Sequence, residues 1–393
     1  MPNGQEIKAL LEQIPTEISR RGQRAEALKA ELEKHRDSIV IYGHGSLGTE
    51  VRQNLECAGW KVRAFIDANQ RTDLENHVLN LQDADRHLEP DVLIIVALWN
   101  ILAEYESVQN SLRDRGFHNI LSFLDLRVWP ELFQGGYVFS AASWELAHIP
   151  EARVLDAYDI LEDELSRKVF LELLHFKIDS PYGKLTLCPS EEQYMPFNVY
   201  SQVQDECIVD CGAYNGDTMR AFLKKLGGWK SYVAVEPDPQ NFAQLERYIE
   251  TELPAHLRPE TKALCAAVSN ESGSLSFTSN GNTTSRIAAQ VASDGQMIEV
   301  PVVRLDDVIQ EPVSLIKMDV EEFELRALEG AEGLIQRNQP LLTICGYHRQ
   351  SDLWEIPLYM KKLLPHHHIF LRNYVGIIEY VFYAVPESRM ILQ

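Results

Sequence analysis

At 393 residues the chain exceeds what one hydrophobic core commonly serves, so two or three domains are expected. Apolar residues make up 45% and charged residues 24%, an ordinary soluble balance, and the formal net charge of -21 disfavours a phosphate backbone as partner. The nearest thing to a basic run, Arg20, Arg21 and Arg24, is surrounded by acids. No stretch reaches the roughly 18 apolar residues of a membrane span, and Met1 to Lys8 lacks the charged-then-apolar pattern of a secretory signal. The six cysteines, at positions 57, 188, 207, 211, 265 and 345, form no C-x-x-C pair and show no zinc spacing. They read as reduced thiols of a cytoplasmic protein, with Cys207 and Cys211 as packing residues and no metal expected.

Residues 4–36 read as helix, with apolar side chains from Ile7 to Leu32 near a 3.6-residue period and Pro15 as a break or kink. Such a segment suits either a surface helix packed on its own domain or a helix that joins two copies as a homodimer. Residues 38–126 then alternate strand and helix: strand 38–42, helix 49–58, strand 61–66, buried strand 91–98, helix 101–115 and strand 118–123. That alternation predicts a small parallel, Rossmann-like α/β domain.

Its first strand runs into Gly43-His-Gly-Ser-Leu-Gly48, and Asp67 ends the next strand 19 residues later. Gly43, Gly45 and Gly48 would permit a tight turn and close backbone approach, with a helix N-terminus toward phosphate and Asp67 toward ribose hydroxyls. The same glycines also serve plain helix-on-sheet packing. A nucleotide at this domain is one expectation, and a nucleotide-dependent oxidoreductase is the rival function it would support, although no Tyr-x-x-x-Lys pair follows.

Residues 127–205 form a connector with an amphipathic helix near 153–176 and a turn-rich stretch. From 206 the alternation resumes. Ile208-Val-Asp210-Cys-Gly212-Ala213-Tyr-Asn215-Gly216-Asp217 places D-x-G-x-x-x-G between strand and helix. This spacing suits S-adenosylmethionine (SAM), which carries no phosphate: Asp210, Gly212, Ala213, Asn215, Gly216 and Asp217 would surround its methionine part. The next strand ends in Glu236-Pro237, 26 residues after Asp210, where a carboxylate can accept both ribose hydroxyls. A third strand, 262–268, would put Ala267 and Val268 beside the adenine ring.

The strand from Leu315 ends in Asp319-Val-Glu321-Glu322-Phe-Glu324, and strand 341–346 ends in Tyr347-His348-Arg349. Ligands of open α/β sheets bind at this strand end, so Asp319, Glu321 and His348 are candidates for orienting or deprotonating an acceptor. Helix capping and dipole pairing equally favour acids there. His366 to His368 reads as a solvated loop and strand start, and two last strands, 368–374 and 378–385, are spaced to pair as a hairpin.

From about Asp163 to Pro386 the chain resembles the FkbM family of SAM-dependent methyltransferases. The resemblance is carried by Glu192-Gln-Tyr194, VDCGAYNGDT (209–218), VAVEPDP (233–239), Arg304-Leu-Asp-Asp307, IKMDVEEFELRALEGA (316–331) and YHRQSDLWEIP (347–357). It implies a class I methyltransferase fold over 206–393, SAM as cofactor, and O-methylation of a small-molecule hydroxyl on a sugar or secondary metabolite. The family pattern D-x-E-G has glycine where this chain has Glu322. A side chain there would reshape the acceptor pocket or strain a turn, which leaves a non-catalytic scaffold as the second rival.

Overall fold

The computed structural model describes residues 2–98, 101–129, 132, 145–179, 185–279, 286–287, 296–375 and 379–391. The chain divides into two compact units. The first comprises Met1–Ile149, Leu171–Leu185 and Val375–Ile378; the second comprises Pro150–Phe170, Thr186–Tyr374 and Glu379–Gln393. The N-terminal helical segment thus belongs to the first unit, and the stretch 127–205 is shared between the two.

The first unit opens with α1 (Pro2–Glu12) and α2 (Ile14–Lys34). Pro15 lies in the first turn of α2, where its missing N–H costs nothing, so the break falls at Gln13. Ala25, Leu28 and Leu32 of α2 are buried, and the helix lies against the 3-10 turn Phe123–Val128. Five strands follow: β1 (Ile39–Tyr42), β2 (Val62–Asp67), β3 (Val78–Asn80), β4 (Leu93–Val96) and β5 (Asn119–Ser122). They pair in parallel in the order β3-β2-β1-β4-β5. β1 and β4 are buried along their whole length, as continuous apolar runs at the centre of a parallel sheet require. Helices α3 (Ser46–Cys57), α4 (Ala84–His87) and α5 (Ile101–Arg113) complete this unit's alternation. α3 begins three residues earlier than the sequence predicts, because Gly45 already serves as its N-cap. Strand β3, three residues long, leaves no apolar run to read.

The glycine loop at β1 divides into two kinds of glycine. Gly43 has φ +109°, and a Cβ there would lie 2.4 Å from the Ala97 carbonyl oxygen; a Cβ on Gly48 would lie 1.9 Å from the Gly43 oxygen. Both are demanded by contact between loop, helix and sheet. Gly45 meets nothing within 4 Å.

The predicted helix at 153–176 is two helices, α6 (Glu151–Asp159) in the second unit and α7 (Glu164–Ile178), counted with the second unit up to Phe170 and with the first from Leu171. The Asp163 side chain accepts from Ser166 N at 2.8 Å, a cap that starts α7 afresh. The strands of the second unit are β6 (Cys207–Cys211), β7 (Ser231–Val235), β8 (Thr261–Leu264), β9 (Ala267–Val268), β10 (Gly273–Ser279), β11 (Arg286–Ile287), β12 (Gln296–Val303), β13 (Leu315–Met318), β14 (Leu341–Cys345), β15 (His368–Asn373) and β16 (Tyr380–Val385). The helices among them are α8 (Asp217–Leu226), α9 (Pro239–Thr251), α10 (Leu305–Val308), α11 (Glu324–Glu329), α12 (Glu332–Asn338) and α13 (Asp352–Leu363).

The main sheet has seven strands in the order β15-β16-β14-β13-β6-β7-β8. β16 runs antiparallel to both neighbours and the remaining pairs are parallel. The expected final hairpin is therefore present, with Gly376 of its connection outside the described residues. A separate sheet, β11-β10-β12-β9, was not foreseen. The single strand predicted at 262–268 splits: β8 ends at Leu264, and Ala267–Val268 leave the main sheet to pair with Val302–Val303. Among the described residues no helix is long and apolar enough to cross a membrane.

The two kinds of glycine differ in what substitution costs. Gly48→Ala should lower stability by about 1–3 kcal/mol through overpacking, and Gly45→Ala should stay within about 0.5 kcal/mol, read by urea denaturation. Equal effects would refute the packing role of Gly48.

Candidate functional site

In the second unit the sheet order reverses between β6 and β13, and the ends of these strands hold the site. Beneath it is a buried ion pair. Asp210 and Lys317 are direct partners in the β6–β13 register, with Nζ 3.0 Å from Oδ1. The Tyr232 hydroxyl of β7 donates to the other Asp210 oxygen at 2.6 Å. Lys317 also donates to the carbonyls of Gly212 at 2.6 Å and Cys211 at 3.3 Å. Burial alone would favour a neutral lysine, but the charges of Asp210, Asp319 and Asp217 outweigh it and raise its pKa. Asp210 is wholly buried, so its expected contact with a ligand is replaced by a supporting role: both oxygens are taken by protein donors.

Above this pair, Gly212 (φ +77°) carries the loop so close to β13 that a Cβ would lie 1.8 Å from the Asp319 carbonyl oxygen. The amides of Gly212 and Ala213 both donate to the Val235 carbonyl, at 2.9 and 3.1 Å. Ala213 is fully buried and offers only its backbone. Tyr214 (φ +47°) turns its amide onto Glu236, donating to Oε2 at 2.9 Å, while Asp238 N donates to Oε1 at 2.9 Å. Asn215 has a buried Oδ1 with no hydrogen-bond partner. Gly216 (φ +86°) caps α8, and Asp217, exposed in the first turn, accepts from Thr218 N at 2.7 Å.

Glu236 is 6% exposed at the end of β7, and burial pushes its carboxyl up to about 7 despite the two amides. Pro237 follows it, half-buried, with the Cys265 thiol 4.0 Å from its carbonyl. Ala267 and Val268 are buried strand residues, with Ala267 in an apolar cluster with Val300 and Val302. The backbone leaves the main sheet after Leu264 to pair with Val302–Val303.

Across Gly212 lies an acidic cluster. Asp319 receives the Tyr194 hydroxyl on Oδ2 at 2.9 Å and the Tyr347 hydroxyl on Oδ1 at 3.1 Å. Burial alone would raise its carboxyl, but the charges of His348 and Lys317 and the two tyrosine hydrogen bonds take it below the usual carboxylate range. Nδ1 of His348 lies 2.8 Å from Oε1 of Glu324, and Nε2 lies 3.4 Å from Asp319 and 3.6 Å from Glu321. Burial would lower this imidazole; Glu324, Glu321 and Asp319 together raise it to about 10. The ring is thus set to hold a proton rather than take one from an acceptor. Glu321 and Glu322 both have positive φ, +51° and +76°, so Glu322 occupies the left-handed turn that glycine makes easy. Its side chain is exposed.

Tyr194, Tyr232, Lys317 and Tyr347 are site residues that sequence reasoning missed. So is Glu379, half-buried and lifted to about 7 by burial and by the charges of Asp319 and Asp217. Lys317 did leave a signal: a lysine inside the apolar run Leu-Ile-Lys-Met must be paired if the strand is central.

In the first unit the predicted partners also meet. Asp67 accepts from His44 N at 3.2 Å, Asn69 N at 2.8 Å and Gln70 N at 3.1 Å, beside the loop of Gly43, Gly45 and Gly48.

The seven-stranded order with one antiparallel strand, and the glycine loop facing an acid at the next strand end, define a class I methyltransferase fold. Residues 210–375 match the model of the methyltransferase FkbM domain, and the chain thus carries an FkbM-type methyltransferase domain. The crystal structure of methyltransferase FkbM from Methylobacillus flagellatus KT matches with a TM-score of 0.73 and 18% identity, over 96% of this chain and 100% of that one. At that identity the likeness establishes a shared fold. An rRNA methylase from Streptococcus thermophilus (TM-score 0.30, 14% identity, 47% of this chain and 89% of that one) is too distant to inform the site. So is Aeropyrum pernix fibrillarin with natively bound SAM (0.26, 12%, 46% and 66%). No protein of curated function matches the chain.

Removing Lys317 leaves Asp210 buried without its counter-charge. Lys317→Met should cost about 3–5 kcal/mol in urea denaturation, and adding Asp210→Asn should recover part of that loss. If the double variant is no more stable than the single, the ion pair is not what supports the loop.

Proposed function

We propose that the second unit transfers the methyl group of SAM to the hydroxyl oxygen of a small molecule, of the sugar or secondary-metabolite class. The observation that carries this reading is the adjacency, across Gly212, of a ribose-type acid and a desolvated carboxylate cluster. The residues fit SAM. Each Glu236 oxygen takes one backbone amide and keeps a lone pair, so two ribose hydroxyls can donate there. Asn215 Oδ1, buried and without a partner, suits the ammonium of the methionine part, with the backbone of Gly212 to Gly216 alongside.

When bound, SAM supplies a methyl group on a sulfonium already activated for displacement. The protein's share is alignment and charge. Asp319, held ionised and fixed by two tyrosine hydroxyls, accepts the acceptor's O–H and points its oxygen toward the loop side of Gly212. Tyr194 and Tyr347 restrict the carboxylate to one orientation.

Two measurements test this. SAM binding by calorimetry should be micromolar in the parent protein and lost in Glu236→Ala; a folded parent that binds no SAM overturns the proposal. Because ribose hydroxyls donate to ionised Glu236, whose carboxyl sits at about 7, the dissociation constant should be about tenfold weaker at pH 6 than at pH 8. Glu236→Gln should be weak and flat across that range. For Asp319→Asn, turnover of an accepted hydroxyl substrate should fall about 100-fold or more with SAM affinity within about threefold. Parallel loss of both would remove Asp319 from the acceptor side.

A further inference from the structure

Methylation of a hydroxyl leaves a proton to dispose of. On the reading above a carbon–oxygen bond forms, the carbon–sulfur bond breaks with its electron pair going to sulfur, and the O–H proton needs a home. The groups around Asp319 are poor ones. Asp319 itself takes the hydroxyls of Tyr194 and Tyr347 at 2.9 and 3.1 Å, which favour its ionised form. His348, 2.8 Å from Glu324, is set to hold a proton already. Glu324 accepts from Val320 N at 2.9 Å and is 1% exposed, so it lacks a way out to water.

Glu379 differs in position and in partners. The antiparallel ladder of β14 and β16 ends at Cys345 and Val381, and Gly346 N then donates to the Tyr380 carbonyl at 3.1 Å. The same register brings Glu379 beside Tyr347, whose hydroxyl reaches Asp319. Its carboxyl is half-buried and, among the described residues, makes no hydrogen bond and no ion pair. Such a group keeps its lone pairs for an incoming proton, and its partial exposure gives that proton a route to solvent. Burial, then the charge of Asp319 and the weaker influence of Asp217, lift the carboxyl to about 7. A group in that range takes up and releases protons readily at neutral pH.

We propose that Glu379 receives the proton that the acceptor hydroxyl gives up at Asp319 and passes it to water. Asp319 orients the acceptor and keeps its charge through the turnover; Glu379 stores the proton until solvent takes it. This role rests on the methyl-transfer reading above, whereas the coupling of the two carboxyls does not.

The first test needs no acceptor. Full-length protein carrying glutamate labelled with ¹³C at the carboxyl is titrated by NMR, and the signal lost in Glu379→Gln reports Glu379. A midpoint near 7 is expected, moving down by about half a pH unit or more in Asp319→Asn, which removes the stronger of the two charges. A midpoint in the ordinary carboxylate range, or one that Asp319→Asn leaves in place, overturns the proposal. The second test is turnover at saturating SAM with a set of methyl hexopyranosides as acceptors. Because the carboxylate must be ionised to take the proton, kcat of the parent should fall about tenfold per pH unit below 7. Glu379→Gln should lose about tenfold or more at pH 8, lack that acidic limb, and bind SAM within about threefold of the parent. An acidic limb that survives in Glu379→Gln overturns the proton role and leaves methyl transfer standing. Where none of the probes is methylated, the carboxyl titration decides. A folded parent that binds no SAM removes methyl transfer, and the proton role with it.

Discussion

The second unit depends on one buried contact, the Lys317 ammonium between Asp210 and the carbonyls of Cys211 and Gly212. A lysine in the middle of a central strand is costly unless paired, and its pairing here does more than neutralise charge. It ties β13 to β6 at the point where the sheet reverses order, and it fixes the carbonyl of Gly212, from which the whole loop departs. Loop position then decides where the Tyr214 amide meets Glu236 and how near Asp319 comes. The two halves of the site are therefore registered to each other through backbone held by a single side chain.

The two units use the same local device. In each, the first glycine after the first strand has positive φ and donates its N–H to the end of the neighbouring strand, Gly43 to Ile66 and Gly212 to Val235. In each, a loop amide reaches the acid at that strand's end, His44 to Asp67 and Tyr214 to Glu236. The surroundings differ. Asp67 is engaged by three backbone amides of its own neighbourhood, whereas each Glu236 oxygen receives one amide. Like geometry at the loop does not make the two acids chemically alike.

Much of this was legible from sequence. Continuous apolar runs located β1, β4, β6, β7, β13 and β14, and glycine spacing with a downstream acid located both loops. What escaped has physical causes. The β9–β12 sheet is built from short, mixed segments whose pairing is non-local, so no period in the sequence announces it. The same event displaced Ala267 and Val268, because a small apolar residue reads alike beside an adenine ring or inside a core. Asp210 was placed correctly at its strand, but its partner Lys317 is over a hundred residues away, and burial turned an expected ligand contact into a foundation. Tyr194 comes from an irregular stretch with no pattern at all, at φ +64°.

The turn at Glu321 and Glu322 carries a last consequence. Two successive residues with side chains take a left-handed backbone that costs about 1 kcal/mol or more apiece, where glycine would take it freely. Glycine, however, would also give the segment many other shapes before folding and more freedom after it. The chain has exchanged ease for stiffness: the turn is harder to form, but once formed it has fewer ways to move, and Glu321 inherits a narrower range of aim. Rigidity at this lip is thus written in backbone strain as well as in the Glu321 contact with His348.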